Sequence, residues 1–115
     1  MSHFVLVVDD QDVVRNVIRL TLERAGYRVL DTGSPAAALE LAHEHPTIDL
    51  IVADVVMPEM DAFELVARIK RDLPGVRVLY TSGYADAREE GPFIQKPFTP
   101  SSLVEKVEAV LAERA

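Results

Sequence analysis

The sequence contains no cysteine and no tryptophan among its 115 residues. Without cysteine the chain cannot form a disulfide or a thiolate metal site, which is compatible with a reducing compartment such as the cytoplasm. It also lacks any apolar run of the roughly 18 residues that a transmembrane helix needs. The apolar stretch near the N-terminus is only five residues long and is typical of a strand, so neither membrane insertion nor a secretion signal is expected.

Positive charge is scarce as well. Twelve lysines and arginines stand against 19 aspartates and glutamates, giving a net charge of −7, and no basic run offsets it. We therefore expect no contact with nucleic acid. The remaining composition, with 49% apolar and 27% charged residues, is that of a globular protein. A chain of this length suffices for one domain with its own core, so residues 1–115 are predicted to form one domain.

Short apolar runs alternate with segments whose apolar residues recur at three- and four-residue spacing, a pattern that predicts alternating strands and helices. Strands wholly composed of apolar residues are buried on both faces, which indicates a parallel sheet with helices on each side, an α/β fold. The predicted strands are 4–8, 27–30, 50–53, 76–80 and 93–95. Four helices are predicted. The second begins at Pro35 and is ended by Pro46, and the others cover 11–25, 62–72 and about 101–113.

Polar side chains that could bind a ligand or react follow four of the predicted strands. Asp9 and Asp10 follow the first strand, Asp54 the third, Ser82 the fourth and Lys96 the short fifth. Ligands of open parallel sheets bind outside the carboxyl ends of the strands. The sequence therefore predicts a site at which three carboxylates, a hydroxyl and an ammonium group meet.

Such a set of groups suits the transfer of a phosphoryl group to a carboxylate. A carboxylate forms an acyl phosphate when the phosphoryl donor is reactive. Because the transition state spreads negative charge over the transferred oxygens, cations and positioning matter most. Mg²⁺ prefers oxygen ligands and keeps several waters, and together with Lys96 it would offset the mutual repulsion of neighbouring carboxylates.

Four motifs carry a family resemblance, and it extends over nearly the whole chain. In order and in strand context, VVDD (7–10), ADVVMPEMD (53–61), TSGY (81–84) and KPF (96–98) resemble the receiver domain of bacterial two-component response regulators. The resemblance implies a flavodoxin-like, doubly wound, five-stranded parallel sheet in the order 2-1-3-4-5. It also implies a signalling switch that catalyses only its own phosphorylation and hydrolysis, and is not otherwise an enzyme.

The resemblance further implies a metal site and a phosphoryl acceptor. Asp54 is expected to accept the phosphoryl group. Asp10 is expected to bind Mg²⁺ directly, and Asp9 to bind it through a water or to act as a supporting charge. The backbone carbonyl of Val56 is expected to complete the protein ligands.

Three further residues receive roles from the resemblance. Ser82 is expected to donate a hydrogen bond to one phosphoryl oxygen, and Lys96 to pair with another. Ser82 and Phe93 are also expected to act in switching, and Phe93 is the aromatic residue that turns inward on activation. Pro97, which follows Lys96, is a candidate for a cis peptide bond. The implied phosphoryl donors are a histidine kinase or a histidine phosphotransfer protein, and the output partner is not named by the sequence.

The phosphoryl donor is expected to dock on the first helix near Val13, Val14 and the exposed side next to Ile18, and beside Phe98. The motifs around 82–85 and 95–100 look more like receivers attached to hybrid histidine kinases than like those of transcription factors.

Four features set the chain apart within the family pattern. Only 13 residues separate Ser82 from Lys96, so a fourth helix over residues 85–91 is expected to be short or disordered. Ala62 stands where the family usually has glycine, and a positive φ there would cost about 1 kcal/mol. Val56 cannot orient a water and Tyr84 is bulky enough to shield an acyl phosphate, which predicts slow self-dephosphorylation.

Other interpretations of single residues stay open at the level of sequence. Acidic residues after a strand often serve a helix N-terminus, Ser82 could be a turn residue and Phe93 a core aromatic. The segment Asp10-Gln11-Asp12 also fits the Asp-x-Asp motif of haloacid-dehalogenase-like phosphatases, although the chain is short for that family. A third possibility is a receiver-like interaction module that works without phosphorylation.

Overall fold

A computed structural model describes residues 3–83 and 91–113. In this part of the chain, strands and helices alternate in the predicted order, and no helix is both long and apolar enough to cross a membrane. The fourth helix predicted over 85–91 falls almost wholly outside the described residues. The elements are β1 (Phe4–Val8), α1 (Asp12–Arg24), β2 (Arg28–Thr32), α2 (Pro35–Glu44), β3 (Leu50–Asp54), α3 (Ala62–Asp72), β4 (Arg77–Ser82), β5 (Phe93–Gln95) and α4 (Pro100–Ala112).

The strands form one parallel sheet in the order β2-β1-β3-β4-β5, which confirms the predicted flavodoxin-like topology. The chain moves outward from β1 to β2 and then returns past β1 to β3, so the direction of winding reverses between β1 and β3. A crevice opens outside the carboxyl ends of the strands at such a reversal. Val8 lies opposite Ala53, and this register brings Asp9 and Asp54 to the same edge of the sheet.

Each face of the sheet has its own hydrophobic core, which explains why β1 and β3 are buried along their whole length. Successive side chains of a strand point to opposite faces. Leu6 and Ile51 therefore pack with Leu65 of α3 on one face, whereas Val7 and Val52 belong to the core on the other face, together with residues of α1 and α4. The two cores hold β1 and β3 rigidly beneath the crevice.

Three strands extend further than the sequence predicted, among them β3, which continues to Asp54 opposite Thr81. Strand β2 continues through Asp31 and Thr32, and β4 continues through Thr81 and Ser82. The reason is pairing with neighbouring strands: Asp31 lies opposite Val7, and Ser82 lies opposite Gln95. Backbone pairing overrides the weak strand preference of polar residues.

The backbone strain expected at Ala62 does not occur there. Ala62 is buried and is the first residue of α3, after Asp61, whose φ is −74° and whose side chain accepts a hydrogen bond from the Glu64 N–H. Within the described residues, Glu59 is instead the non-glycine residue with a positive φ, of 74°. The left-handed conformation therefore lies in the middle of the loop after β3 and not at its end.

Replacing Glu59 by glycine should stabilise the protein. Relief of the left-handed strain exceeds the extra entropy of glycine in the unfolded chain, so the free energy of unfolding should rise by about 0.5 kcal/mol. Urea denaturation would measure the change. Glu105→Gly, at an exposed position inside α4, is the matched control and should lower the free energy of unfolding by about 1 kcal/mol. A loss of stability in both variants would contradict the strain at Glu59.

The hydroxyl of Thr81 should cost the fold stability, because it is fully buried and has no hydrogen-bond partner among residues 3–83 and 91–113. Thr81→Val removes this hydroxyl and keeps the shape of the side chain, so the free energy of unfolding should rise by about 1 kcal/mol. Thr81→Ser keeps the hydroxyl and removes a methyl group, so it should lower that free energy by about 1 kcal/mol. Equal stability of the valine and wild-type proteins in urea denaturation would show that the hydroxyl costs nothing.

Candidate functional site

Three carboxylates meet at the carboxyl ends of β1 and β3. Asp9, Asp10 and Asp54 each offer an oxygen atom, and the three atoms lie within 4.8 Å of one another. Asp9 and Asp54 are buried, with 1% and 5% of their surfaces exposed, whereas Asp10 is open to solvent. The parallel pairing of the two strands brings these residues together, as the sequence predicted.

Lys96 joins the two buried carboxylates. Its Nζ lies 3.2 Å from Asp9 Oδ2 and 3.1 Å from Asp54 Oδ2. Strand β5 delivers the residue to this place, because the Lys96 N–H donates a 2.7 Å hydrogen bond to the Ser82 carbonyl at the end of β4. The peptide bond between Lys96 and Pro97 is cis, which confirms the prediction for Pro97. The predicted lysine therefore reaches the acidic cluster directly.

Burial and charge oppose each other at these groups. Burial raises the pKa of Asp9 above its usual value, and the charge of Asp54 raises it further, while a hydrogen bond from the Gln11 N–H and the charge of Lys96 lower it. Burial lowers the pKa of Lys96, but the charges of Asp9 and Asp54 outweigh burial and leave the pKa raised. Lys96 is thus a firmly protonated cation, but it does not fully offset the burial of Asp9.

The loop after β3 folds back onto Asp54. The Val56 N–H donates a 3.2 Å hydrogen bond to Asp54 Oδ1, and the Val55 N–H is held by the Thr81 carbonyl at 2.9 Å. These bonds place the Val56 N–H beside the carboxylate; the expected role of the Val56 carbonyl as a metal ligand stays a prediction. The Val56 side chain points away from the core and is 58% exposed.

Ser82 and Phe93 lie on the two strands next to the cluster. Ser82 is fully buried at the end of β4, one residue after Thr81, which lies opposite Asp54. Phe93 is half-buried in β5 opposite Tyr80 and is two residues from the position that pairs with Ser82. Ser82 thus belongs to the edge where the carboxylates meet, whereas Phe93 lies further along the sheet.

Sequence reasoning missed Arg15, which makes three hydrogen bonds beside the acidic cluster. Its guanidinium donates to the Asp9 carbonyl, to Asp31 and to Asp12, at distances between 2.7 and 3.0 Å. The feature of the sequence that could have indicated this role is a basic residue six positions after Asp9. The partner Asp31 had been placed beyond the end of the second strand, so the pairing was not visible.

The donor set fits a hard divalent cation. All the side chains in the cluster offer carboxylate oxygens, which are the ligands that Mg²⁺ prefers, and Asp10 is exposed so that bound waters can remain. Burial, the main cause of the raised pKa of Asp9, leaves this carboxylate short of solvation that a bound cation would supply. Asp9, Asp10 and Asp54 are the groups that could hold the metal.

An apolar groove borders the cluster on the side of α1. Val13, Val14 and Val17 line one wall, and Lys96, Pro97 and Phe98 line the other. Val13 is 78% exposed. The groove coincides with the place where the sequence predicted docking of a phosphoryl donor.

Comparison with known proteins gives one consistent family. The family model described as the response regulator receiver domain matches residues 5–108. The chain is 34% identical to the response regulator receiver protein CpdR of Brucella abortus (strain 2308), over 96% of this chain and 98% of that protein.

Two further similarities agree with this match. The chain is 34% identical to the sensor kinase CckA of Brucella abortus (strain 2308), over 98% of this chain but only 13% of the kinase. The crystal structure of the chemotaxis protein CheY4 of Vibrio cholerae matches with a TM-score of 0.89 and 28% identity, over 96% of this chain and 99% of that one.

The buried Asp9 carboxyl should make the metal-free protein less stable as pH rises. Because its pKa in the folded state lies above the ordinary value of 3.8, the folded state retains this proton longer than the unfolded chain does. The resulting stabilisation is complete below the ordinary pKa and is lost as pH rises through the raised one. Urea denaturation in EDTA between about pH 4 and 7 would measure the Asp9 contribution as a difference from Asp9→Asn.

The Asp9→Asn variant should lose this decline, while the exposed control Glu105→Gln should keep it. Identical pH profiles for wild type and Asp9→Asn would refute the assignment to Asp9.

Proposed function

This chain belongs to the family of response regulator receiver domains, the phosphorylation-based signalling switches of two-component systems, and we propose that Asp54 is the carboxylate that accepts the phosphoryl group. One observation carries the proposal: Asp54 ends β3, between Asp9 and Asp10 on one side and Ser82 of β4 on the other, and the Val56 N–H and Lys96 hold its two oxygens. A carboxylate oriented in this way at the edge of a crevice is positioned for in-line attack.

The proposed donor is a phosphohistidine of a histidine kinase or of a histidine phosphotransfer protein. An oxygen of Asp54 attacks phosphorus and forms the acyl phosphate bond, while the phosphorus–nitrogen bond breaks and its electron pair returns to the imidazole. Mg²⁺, held by the acidic cluster and the Val56 carbonyl, would supply positive charge to the transferred oxygens. The chain otherwise acts as a switch, and its chemistry is limited to its own phosphorylation and hydrolysis.

Lys96 has a different task before and after transfer. Before transfer its ammonium group holds Asp9 and Asp54. A phosphoryl group brings a charge of about −1.5 to −2 and three strong acceptor oxygens, so Lys96 is expected to pair with one of them. Ser82 is expected to donate its hydroxyl to another.

The backbone gives this local change a route to the rest of the molecule. Lys96 and the carbonyl of Ser82 are hydrogen-bonded at 2.7 Å, so a shift of one strand end is transmitted to the other. Phe93 lies on the same short strand as Gln95, the residue opposite Ser82. We propose that Ser82 and Phe93 move together on phosphorylation, and that an output partner reads the new surface of the switch.

The groove lined by Val13, Val17 and Phe98 is the proposed docking site for the histidine-bearing partner, because it opens beside Lys96 and the acidic cluster. The similarity to part of CckA supports a place in a phosphorelay with a sensor kinase. Residues 1–115 are proposed to act as one receiver domain. A cytoplasmic location stays a prediction.

Slow hydrolysis of the acyl phosphate also stays a prediction. Val56 lies beside Asp54 with an exposed apolar side chain that cannot orient a water by hydrogen bonding. Tyr84, the second residue in this hypothesis, lies outside the described residues.

The two alternatives have less support. In the phosphatase interpretation Asp12 would be the acid/base, but it is exposed at the start of α1 and its carboxylate accepts a 2.7 Å hydrogen bond from Arg15. An interaction module that works without phosphorylation would have no use for buried Asp9 and Asp54 joined by Lys96.

Phosphorylation of Asp54 is tested by intact-protein mass spectrometry after incubation with acetyl phosphate and Mg²⁺, and with a phosphohistidine donor. Wild type and Asp61→Asn should gain one phosphoryl group, and Asp54→Asn should gain none, because Asp54 is the proposed acceptor and Asp61 lies outside the cluster around Lys96. Asp61 is the matched control, an exposed aspartate of the same loop whose role as a helix cap asparagine can also fill.

An adduct that persists in Asp54→Asn would point to another carboxylate, Asp10 first. Folded wild-type protein that stays unmodified with both donors would favour the phosphorylation-independent module.

A further inference from the structure

Arg15 links three parts of the chain next to the acidic cluster. Its Nη1 donates a 2.8 Å hydrogen bond to the Asp9 carbonyl, its Nε donates one of 3.0 Å to Asp31 Oδ2, and its Nη2 donates one of 2.7 Å to Asp12 Oδ1. The side chain is only 19% exposed. One guanidinium thus connects helix α1, the end of β2 and the peptide that follows Asp9.

The Asp9 carbonyl belongs to the peptide bond that joins Asp9 to Asp10. Because a peptide group is planar, holding this oxygen fixes the orientation of the whole plane and therefore the direction in which the Asp10 backbone leaves it. The rest of Asp9 is held as well: its N–H donates to the Thr32 carbonyl at 3.2 Å, and its Oδ1 accepts from the Gln11 N–H at 2.8 Å. Arg15 is the side chain that fixes the remaining polar group of this residue.

The guanidinium fits into a space that glycine leaves open. A Cβ added to Gly33 would lie 2.7 Å from Arg15 Nη1, well inside contact distance. Asp31, on the same strand end, anchors the guanidinium through Nε. The position of Arg15 is therefore set by β2 as much as by its own helix.

We propose that Arg15 is a positioning residue for the metal site: it holds the Asp9–Asp10 peptide so that both carboxylates face the cation. The inference rests on the proposed function, since it concerns Mg²⁺ bound by these two residues. A planar fork with donors on several edges reaches three acceptors at once, whereas a lysine ammonium presents a single point. Groups that orient metal ligands typically contribute 10- to 100-fold to metal affinity.

Charge and geometry predict opposite effects when Arg15 is replaced. Loss of a positive charge near the cluster would by itself strengthen the binding of a cation. Loss of the peptide's orientation would weaken that binding. The direction of the change in affinity therefore separates a positioning residue from a simple neighbouring charge.

Two pairs of variants, measured by isothermal titration with Mg²⁺, test the proposal. The first pair is Arg15→Gln and Arg19→Gln. Arg19 lies on the same helix and also faces Asp31, with Nε 3.6 Å from Oδ1, but its hydrogen bonds go to Glu23 and Asn16 and not to Asp9. We expect the affinity for Mg²⁺ to fall about tenfold or more in Arg15→Gln and to change by less than about twofold in Arg19→Gln.

The second pair keeps every charge. Gly33→Ala adds a methyl group that pushes the flexible end of Arg15 aside, whereas the Cβ of Gly75→Ala would meet no heavy atom within 4 Å. Gly33→Ala should weaken Mg²⁺ binding in the same direction as Arg15→Gln, and Gly75→Ala should leave it unchanged. Urea denaturation of all four variants would show that each is folded at the temperature of the titration.

The outcomes separate this inference from the proposed function. Wild-type protein that does not bind Mg²⁺ overturns the metal site and the role of Arg15 together. If wild type binds Mg²⁺ and Arg15→Gln binds it equally well or more tightly, the metal site stands and the positioning role is wrong. Equal losses in Arg15→Gln and Arg19→Gln would also overturn it, because they would reflect the ion pairs of α1 and not the Asp9 carbonyl.

Discussion

The contact of one ammonium group with two buried carboxylates is the interaction on which this molecule depends. Lys96 lies between Asp9 and Asp54, which are almost completely shielded from solvent. Isolated ionised groups are rarely tolerated at such burial, because removal from water costs more than ordinary packing returns. The cation and the carboxylates make each other's burial possible. They lie at the carboxyl ends of β1, β3 and β5, so the contact requires that these strands share one sheet.

Backbone hydrogen bonds fix the positions of the side chains in the site. The carboxylate of Asp54 is oriented by the Val56 N–H, Lys96 is placed by the Ser82 carbonyl, and the Asp9 peptide is bounded by β2. They lie at or next to the ends of the strands, of which β1, β3 and β4 are packed on both faces by apolar residues. Interiors packed at this density resist gradual deformation, so a change at the strand ends favours a discrete shift between two arrangements.

The burial of carboxylates links stability to function in this site. Burial raises the pKa of Asp9, and the charge of Lys96 does not fully offset this effect of burial. A buried carboxylate of this kind costs stability, whereas the proposed cation site needs carboxylate ligands. The left-handed Glu59 lies in the loop that starts from Asp54, and the buried hydroxyl of Thr81 lies opposite Asp54 in the sheet. These features, each of which lowers the stability of the fold, therefore lie around the proposed acceptor.

The sequence by itself determined the alternation of strands and helices, the parallel sheet and the residues that gather at its edge, because apolar runs and strand-end polar groups are local patterns that burial dictates. Tertiary structure alone decided the ends of β2 and β4, where pairing with neighbours outweighs the preference of single residues. It also decided that Glu59 and not Ala62 takes the left-handed conformation, and that Arg15 reaches Asp31. Those features depend on contacts between distant segments, whose geometry exists only once the sheet has formed.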